Sequence, residues 1–319
     1  VGSEMCIRDS CLGAMTFGDD WGWGSSKDES RKIYDAFVAA GGNFIDTADL
    51  YTNGTSEKFL GEFMTSDRER IVLATKYTNS APGTDPNAAG NQRKNMMQSV
   101  EASLKRLNTD YIDLYWLHVW DFLTPVDEVM RAFDDLIRQG KVLYIGISDA
   151  PAGVVSRANT LAELRGWSQF VGLQVEYSLI ERTCDRELLP MAREMDLAVT
   201  VWSPLAGGLL TGKYADGRDT VKEEKRLEHP MVAPLVDITE RKRAISDAVV
   251  KVAEAIGKTP AQVALAWLRR QPGVMIPIIG ARRLSQLKDN MACVEVTLAD
   301  EYLQQLDEVS RIELGFPHD

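Results

Sequence analysis

Histidine is scarce in this chain. Only His118, His229 and His318 occur in 319 residues, and no two stand at ligand spacing. Structural zinc sites gather several His or Cys ligands at short, regular intervals, so no metal centre is expected. Cysteine is nearly as sparse: Cys6, Cys11, Cys184 and Cys293 are irregularly spaced and form no CxxC pair. That pattern argues against a disulfide framework and suits a reducing, cytoplasmic compartment. No apolar run approaches the ~18 residues of a spanning helix. The opening VGSEMCIRDS lacks the apolar middle of a signal peptide. Cationic residues are outnumbered, 36 Lys and Arg against 47 Asp and Glu, for a net charge of −11. Such a surface disfavours nucleic acid and anionic membrane as partners, while leaving room for a local basic pocket. Pro-, Ser- or Gly-rich linkers, low-complexity tracts and short repeats are also missing.

What the chain does have is alternation. Eight short apolar runs fall at Leu12–Thr16, Asn43–Asp46, Ile71–Lys76, Tyr111–His118, Val142–Ser148, Phe170–Val175, Leu197–Trp202 and Val274–Ile278. Most are continuously apolar, as parallel strands covered on both faces are. Amphipathic stretches separate them. In TPVDEVMRAFDDLIRQGK, Thr124 is a candidate N-cap with Pro125 at the first helical position. Val126, Val129, Met130, Phe133, Leu136 and Ile137 share one face, and Gly140 stands ready to end the helix. Thr259 and Pro260 open a second clear helix running to Arg270. Repeated strand–helix units predict a parallel α/β fold, and eight of them can close into a (β/α)8 TIM barrel. An open doubly wound sheet is the rival. It would usually carry GxGxxG after its first strand, where this chain has GAMTFGDDWGWG. The barrel is expected as a single domain over residues 11–319. It has an extended loop after strand seven (Ala206–Glu240) and an extra C-terminal helix (Leu298–Ser310). Residues 1–10 match no structural element and read as an atypical segment or remnant.

Barrel active sites lie at the C-terminal ends of the strands. There the second run ends at Asp46, with Tyr51 just beyond; the third ends at Lys76 and the fourth at His118. Singly, each is explained by a surface lysine, a satisfied core histidine or a helix-start acid. Together they place an acid, a phenol, an amine and an imidazole at one rim. A phenol titrates near ~10, and a nearby ammonium favours its ionised form. A carboxylate keeps a half-buried lysine charged. A neutral imidazole can orient a carbonyl oxygen. The set suits protonation of an oxygen that gains negative charge, as hydride addition to a carbonyl demands. Nearby, GGLLTGKY sets Gly207, Gly212 and Lys213 at P-loop spacing, but Tyr214 replaces the Mg-binding hydroxyl, so nucleotide hydrolysis is not expected.

These residues, with MTFG, NFIDTADLYTNGTSEKFLGEF, IVLATK, SLKRLNTDYIDLYWLH, GKVLYIGIS, LQVEYSLIER, VWSPLAGGLLTGKY and IPIIGARRLSQLKDN, resemble the aldo-keto reductase superfamily. The resemblance covers nearly the whole chain from Leu12. It implies NADPH binding without a Rossmann fold and the tetrad Asp46, Tyr51, Lys76 and His118, with Tyr51 as general acid. It further implies that Ser148, Asp149 and Gln174 hold the nicotinamide amide and that Trp202 stacks on the ring. Asp149 stands where the family usually has Asn, and a carboxylate cannot donate to a carbonyl. By the same resemblance Ser203, Pro204, Leu205, Gly207 and Lys213 wrap the pyrophosphate, and Gly280, Arg282, Gln286, Asp289 and Asn290 surround the adenosine end. Arg282 is matched in shape and charge to the 2′-phosphate of NADP. Trp21, Trp23, Trp120 and Phe122 are candidates for the substrate wall. The family usually opens with a hairpin that closes the barrel floor; residues 1–10 do not read as one. The expected activity is reduction of an aldehyde or ketone, a small-molecule carbonyl, with NADPH. The alternative is an NADPH-binding, redox-sensing regulatory subunit with little turnover.

Overall fold

The computed structural model describes residues 10–79, 85, 87–214 and 238–318. Eight strands close on themselves in chain order: β1 (Cys11–Gly13), β2 (Phe44–Asp46), β3 (Val72–Tyr77), β4 (Ile112–Leu117), β5 (Val142–Ser148), β6 (Phe170–Glu176), β7 (Ala198–Trp202) and β8 (Met275–Gly280). Every neighbouring pair is parallel, including β1 with β8. The helices between them are α1 (Lys27–Ala39), α2 (Thr55–Phe63), α3 (Arg93–Leu107), α4 (Val126–Arg138), α5 (Ala152–Arg165), α6 (Leu188–Glu194), α7 (Glu240–Ile256), α8 (Pro260–Arg269) and α9 (Leu284–Met291), followed by a C-terminal α10 (Asp300–Ser310). The chain is a (β/α)8 TIM barrel. Among the described residues no helix is long and apolar enough to cross a membrane.

Local chemistry explains most boundaries. Helix α8 opens on a capping box in which Thr259 accepts from the Gln262 backbone and Gln262 reaches back to Thr259. Helix α4 starts one residue later than the Thr–Pro signal suggests, because Pro125 is extended and itself serves as the N-cap. Gly140, with φ +71°, turns the chain out of α4. The first strand is shorter than expected: only Cys11–Gly13 pairs, and Thr16 instead donates its hydroxyl to the Ala281 carbonyl. Of the expected excursion over Ala206–Glu240, residues 206–211 form a short 3₁₀ turn and Glu240 begins α7. Residues 215–237 and His229 lie outside the described residues, as do 1–9 with Cys6.

The barrel interior is a separate apolar layer of Cys11, Phe44, Ala74, Trp116, Ile276 and Ile278. Trp116 dominates it. A Cβ on Gly146 would stand 2.2 Å from the indole, and one on Gly172 would stand 2.9 Å away. The two glycines therefore make the space that the indole fills. This layer forms a solid floor under the strand ends that carry the polar residues.

Candidate active site

Each polar side chain at the barrel mouth is fixed by the strand or turn that carries it. Register sets Asp46 of β2 beside Ala74 and Lys76 of β3 beside Trp116 of β4. His118 extends β4 by one more pairing, its N–H donating to the Tyr77 carbonyl at 3.0 Å. Tyr51 sits in a 3₁₀ turn that needs unusual backbone. Thr52 and Asn53 have φ of +46° and +56°, and Gly54 has +87°. The turn is anchored by the Thr52 hydroxyl, which donates to the Phe17 carbonyl at 2.7 Å and accepts from the Ser56 N–H at 3.1 Å. Strain of this kind is held only where neighbours over-determine it.

The result is one contiguous constellation. Lys76 is wholly buried, forms a short ion pair with Asp46, and donates to the Thr47 carbonyl at 2.7 Å. Its Nζ also lies 3.2 Å from the Tyr51 hydroxyl. The Tyr51 and His118 rings meet edge to face with centroids 5.9 Å apart. Gln174 of β6 reaches across the barrel and donates Nε2 to Asp46 Oδ1 at 3.1 Å. The carboxylate of Asp46 is thus held on both oxygens.

Electrostatics follow from burial. Burial disfavours the Lys76 ammonium, but Asp46 and Tyr51 outweigh it and push its pKa up to about 12. Burial raises the Tyr51 phenol, and Lys76 only partly offsets this. The phenol is therefore held protonated at neutral pH. Proximity to the ammonium does not by itself bring it below its ordinary value. Burial, then the Lys76 charge, lower His118 to about 3, so its imidazole is neutral.

Above these residues lies a cavity of about 720 Å³ that runs from Trp21, Tyr51 and His118 to the start of α9. The Aldo/keto reductase family model matches residues 11–311. The chain belongs to the aldo/keto reductase family. It is similar to the norsolorinic acid reductase stcV of Emericella nidulans, at 39% identity over 98% of this chain and 80% of that protein. It is also similar to an aryl-alcohol dehydrogenase [NADP(+)] of Phanerodontia chrysosporium, 38% identical over 99% of this chain and 86% of the relative. A putative aryl-alcohol dehydrogenase, AAD14 of Saccharomyces cerevisiae, is 36% identical over 96% of this chain and 84% of its own length. As a member of this family the chain is an oxidoreductase acting in carbonyl chemistry.

Every cofactor position expected from the family resemblance lines the cavity, from Ser148 at the deep end to Asn290 at the far end. The deep end offers polar groups with no protein partner: Ser148 Oγ and His118 Nδ1 are both buried and unbonded. Trp202 forms part of the same wall, its indole N–H donating to Asp149 Oδ1 at 3.0 Å. After β7 the chain coils tightly, with φ of +54° at Ser203, +48° at Ala206, +64° at Gly207 and +98° at Gly208. Gly208 suits that turn because its φ of +98° is one that L side chains rarely adopt. At the far end Gln286 accepts from the Arg282 N–H at 3.0 Å. Asp289 accepts from Thr259 and Gln262, so it also supports the start of α8.

The aromatic candidates divide. Trp21 and Trp23 line the cavity, with Trp21 edge-on to Tyr51 at 6.4 Å. Trp120 and Phe122 do not line it. Trp120 is packed into the main core, and Phe122 is 73% exposed. An Asx turn causes this. Asp121 accepts from the Leu123 and Thr124 N–H groups, and the backbone reverses at Phe122 with φ +58°. Sequence reasoning missed Asn79 as a cavity residue and took Thr259 only as a helix cap, though Thr259 also faces the cavity. The Gln174–Asp46 bond had no sequence signal, because the two residues are 128 positions apart.

Proposed function

We propose that this protein reduces the carbonyl group of an aromatic aldehyde or ketone with NADPH, Tyr51 delivering the proton. The observation that carries the reading is the buried Asp46–Lys76 ion pair, whose ammonium touches the Tyr51 hydroxyl at 3.2 Å.

A nicotinamide dinucleotide held in the cavity would supply the hydride; the chain's own residues would orient the carbonyl and deliver the proton. Neutral His118, beside Tyr51, donates a hydrogen bond to the carbonyl oxygen and turns it toward the phenol. As negative charge grows on that oxygen, the phenol gives up its proton. The Lys76 ammonium stabilises the phenolate left behind, through a contact made before reaction begins. Asp46 keeps that ammonium charged in a dry site, and Gln174 keeps Asp46 aimed. Burial holds the phenol protonated beforehand, so the donor is loaded at neutral pH.

Ser148, Asp149, Gln174 and Trp202 would hold the nicotinamide. The coil after β7 with Lys213 would hold the pyrophosphate, and the Gly280–Asn290 region the adenosine. Unbonded Ser148 Oγ in the cavity wall supports the fit. Arg282 and the NADP(+) named for the Phanerodontia chrysosporium relative both favour the 2′-phosphorylated cofactor. Aromatic substrates are favoured by the wall of Trp21, Trp23 and Tyr51, whose rings lie 6.0 Å and 6.4 Å apart.

The test is to follow NADPH absorbance with matched panels of aromatic and aliphatic aldehydes. Steady turnover, higher kcat/KM for the aromatic panel, and a clear preference for NADPH over NADH are expected. Tight NADPH binding with negligible turnover on every carbonyl would overturn the reading.

A further inference from the structure

Asp149 is a chemical oddity in the cavity wall. It is an exposed carboxylate immediately after β5, held in the left-handed region at φ +44°. Few side chains adopt that backbone readily, Asp being one that does. Two bonds fix its position. Its N–H donates to the Gln174 carbonyl at 3.2 Å, and its Oδ1 accepts from the Trp202 indole at 3.0 Å. The carboxylate therefore faces the cavity between Ser148, Gln174 and Trp202 and does not rotate freely into solvent. It lines the same cavity as Tyr51 and His118, which places it at the reacting end.

Under the proposed function, the ring that gives up hydride must lie over Tyr51 and so beside Asp149. That ring is neutral when reduced and positively charged when oxidised. A hydrogen-bonding amide at this position would treat the two forms nearly alike, whereas a carboxylate cannot.

We propose that Asp149 discriminates between the oxidation states of the bound cofactor, its carboxylate favouring the positively charged oxidised nicotinamide over the neutral reduced ring. The reaction balances without further reagents. The hydride carries its electron pair from the ring to the carbonyl carbon, the ring becomes cationic, and the carbonyl oxygen takes the Tyr51 proton. Asp149 stabilises the side of this exchange on which the ring is charged. It makes the bound reduced cofactor a better hydride donor and makes the oxidised cofactor slower to leave.

The inference rests on the cofactor reading above, and one binding experiment separates the two. Dissociation constants for NADP+ and NADPH are measured for the wild type and for Asp149→Asn, without carbonyl substrate. Asn fills the same volume and keeps an oxygen for the Trp202 indole, and an unchanged melting temperature verifies that the fold is intact. Both cofactors carry the same phosphates, so the ratio of their constants isolates the ring charge. The ratio Kd(NADP+)/Kd(NADPH) should rise by about tenfold in Asp149→Asn, chiefly through weaker NADP+ binding. A ratio that stays within about twofold, whether both affinities hold or fall together, overturns the role of Asp149 alone. If the wild type binds neither cofactor, the nicotinamide reading falls and this inference with it.

Discussion

Asp49 sits two residues before the proposed proton donor and has no assigned part in the chemistry. Its N–H closes the turn by donating to the Lys76 carbonyl at 3.2 Å, while its Oδ1 is buried without a partner. Burial, then the nearby Glu57 charge, raise its pKa from 3.8 to about 8. The folded state thus holds this carboxyl neutral where the unfolded chain would ionise it. A folded value above the unfolded one gives a contribution that is full below about pH 4 and is lost as pH rises through about 8. Asp49→Asn removes that loss. Its melting temperature should exceed the wild type's at about pH 9, and the gap should close near about pH 4. A gap of constant size across that range would mean that the residue acts through packing alone. Neighbouring Glu57 is fully buried with both oxygens bonded, by Arg106 at 2.5 Å and the Thr75 hydroxyl at 2.6 Å.

At the scale of elements, the strands position the site because their inner faces are filled to the limit. Gly146 and Gly172 lie against Trp116, so one indole of β4 packs against both β5 and β6. Gly146→Ala forces a methyl into occupied space and should cost about 1–3 kcal/mol, read from denaturant unfolding. Trp116→Leu in the same chain should relieve part of that cost. If Gly146→Ala is neutral, the indole has room that the packing denies.

The strands and their polar ends were legible in the sequence because apolar runs ending in Asp46, Lys76 and His118 break the pattern of a buried strand so sharply. The turn that presents Tyr51 was legible only as a loop, since positive φ at Thr52 and Asn53 has no residue signature as plain as glycine's. Trp120 was misleading for a similar reason. Proximity in sequence to His118 suggested the cavity, but the Asx turn at Asp121 fixes the loop so that the indole lies in the core.

Across the whole molecule, the chain carries a net charge of −11, which the proposed anionic cofactor would have to overcome locally. Lys213 and Arg282 stand in the cavity wall, where the proposed cofactor would meet them. Arg282→Ala should weaken NADPH more than NADH, checked by titrating each. Equal losses would remove the 2′-phosphate assignment. The barrel is closed on its flank by α10, where Arg182 bonds both Asp307 and Ser310, and Arg241 reaches the Ser310 carbonyl at 2.7 Å. No sequence motif announces these ties, because they join residues up to 128 positions apart through single side chains. The functional claim depends on none of them directly. It depends on a phenol that a buried, carboxylate-paired lysine helps to release its proton. The most direct measurement is the turnover of Tyr51→Phe with NADPH and an aromatic aldehyde, alongside its NADPH dissociation constant. The account predicts a fall in kcat of about 10³-fold with NADPH affinity nearly unchanged. Turnover at the wild-type rate would contradict it.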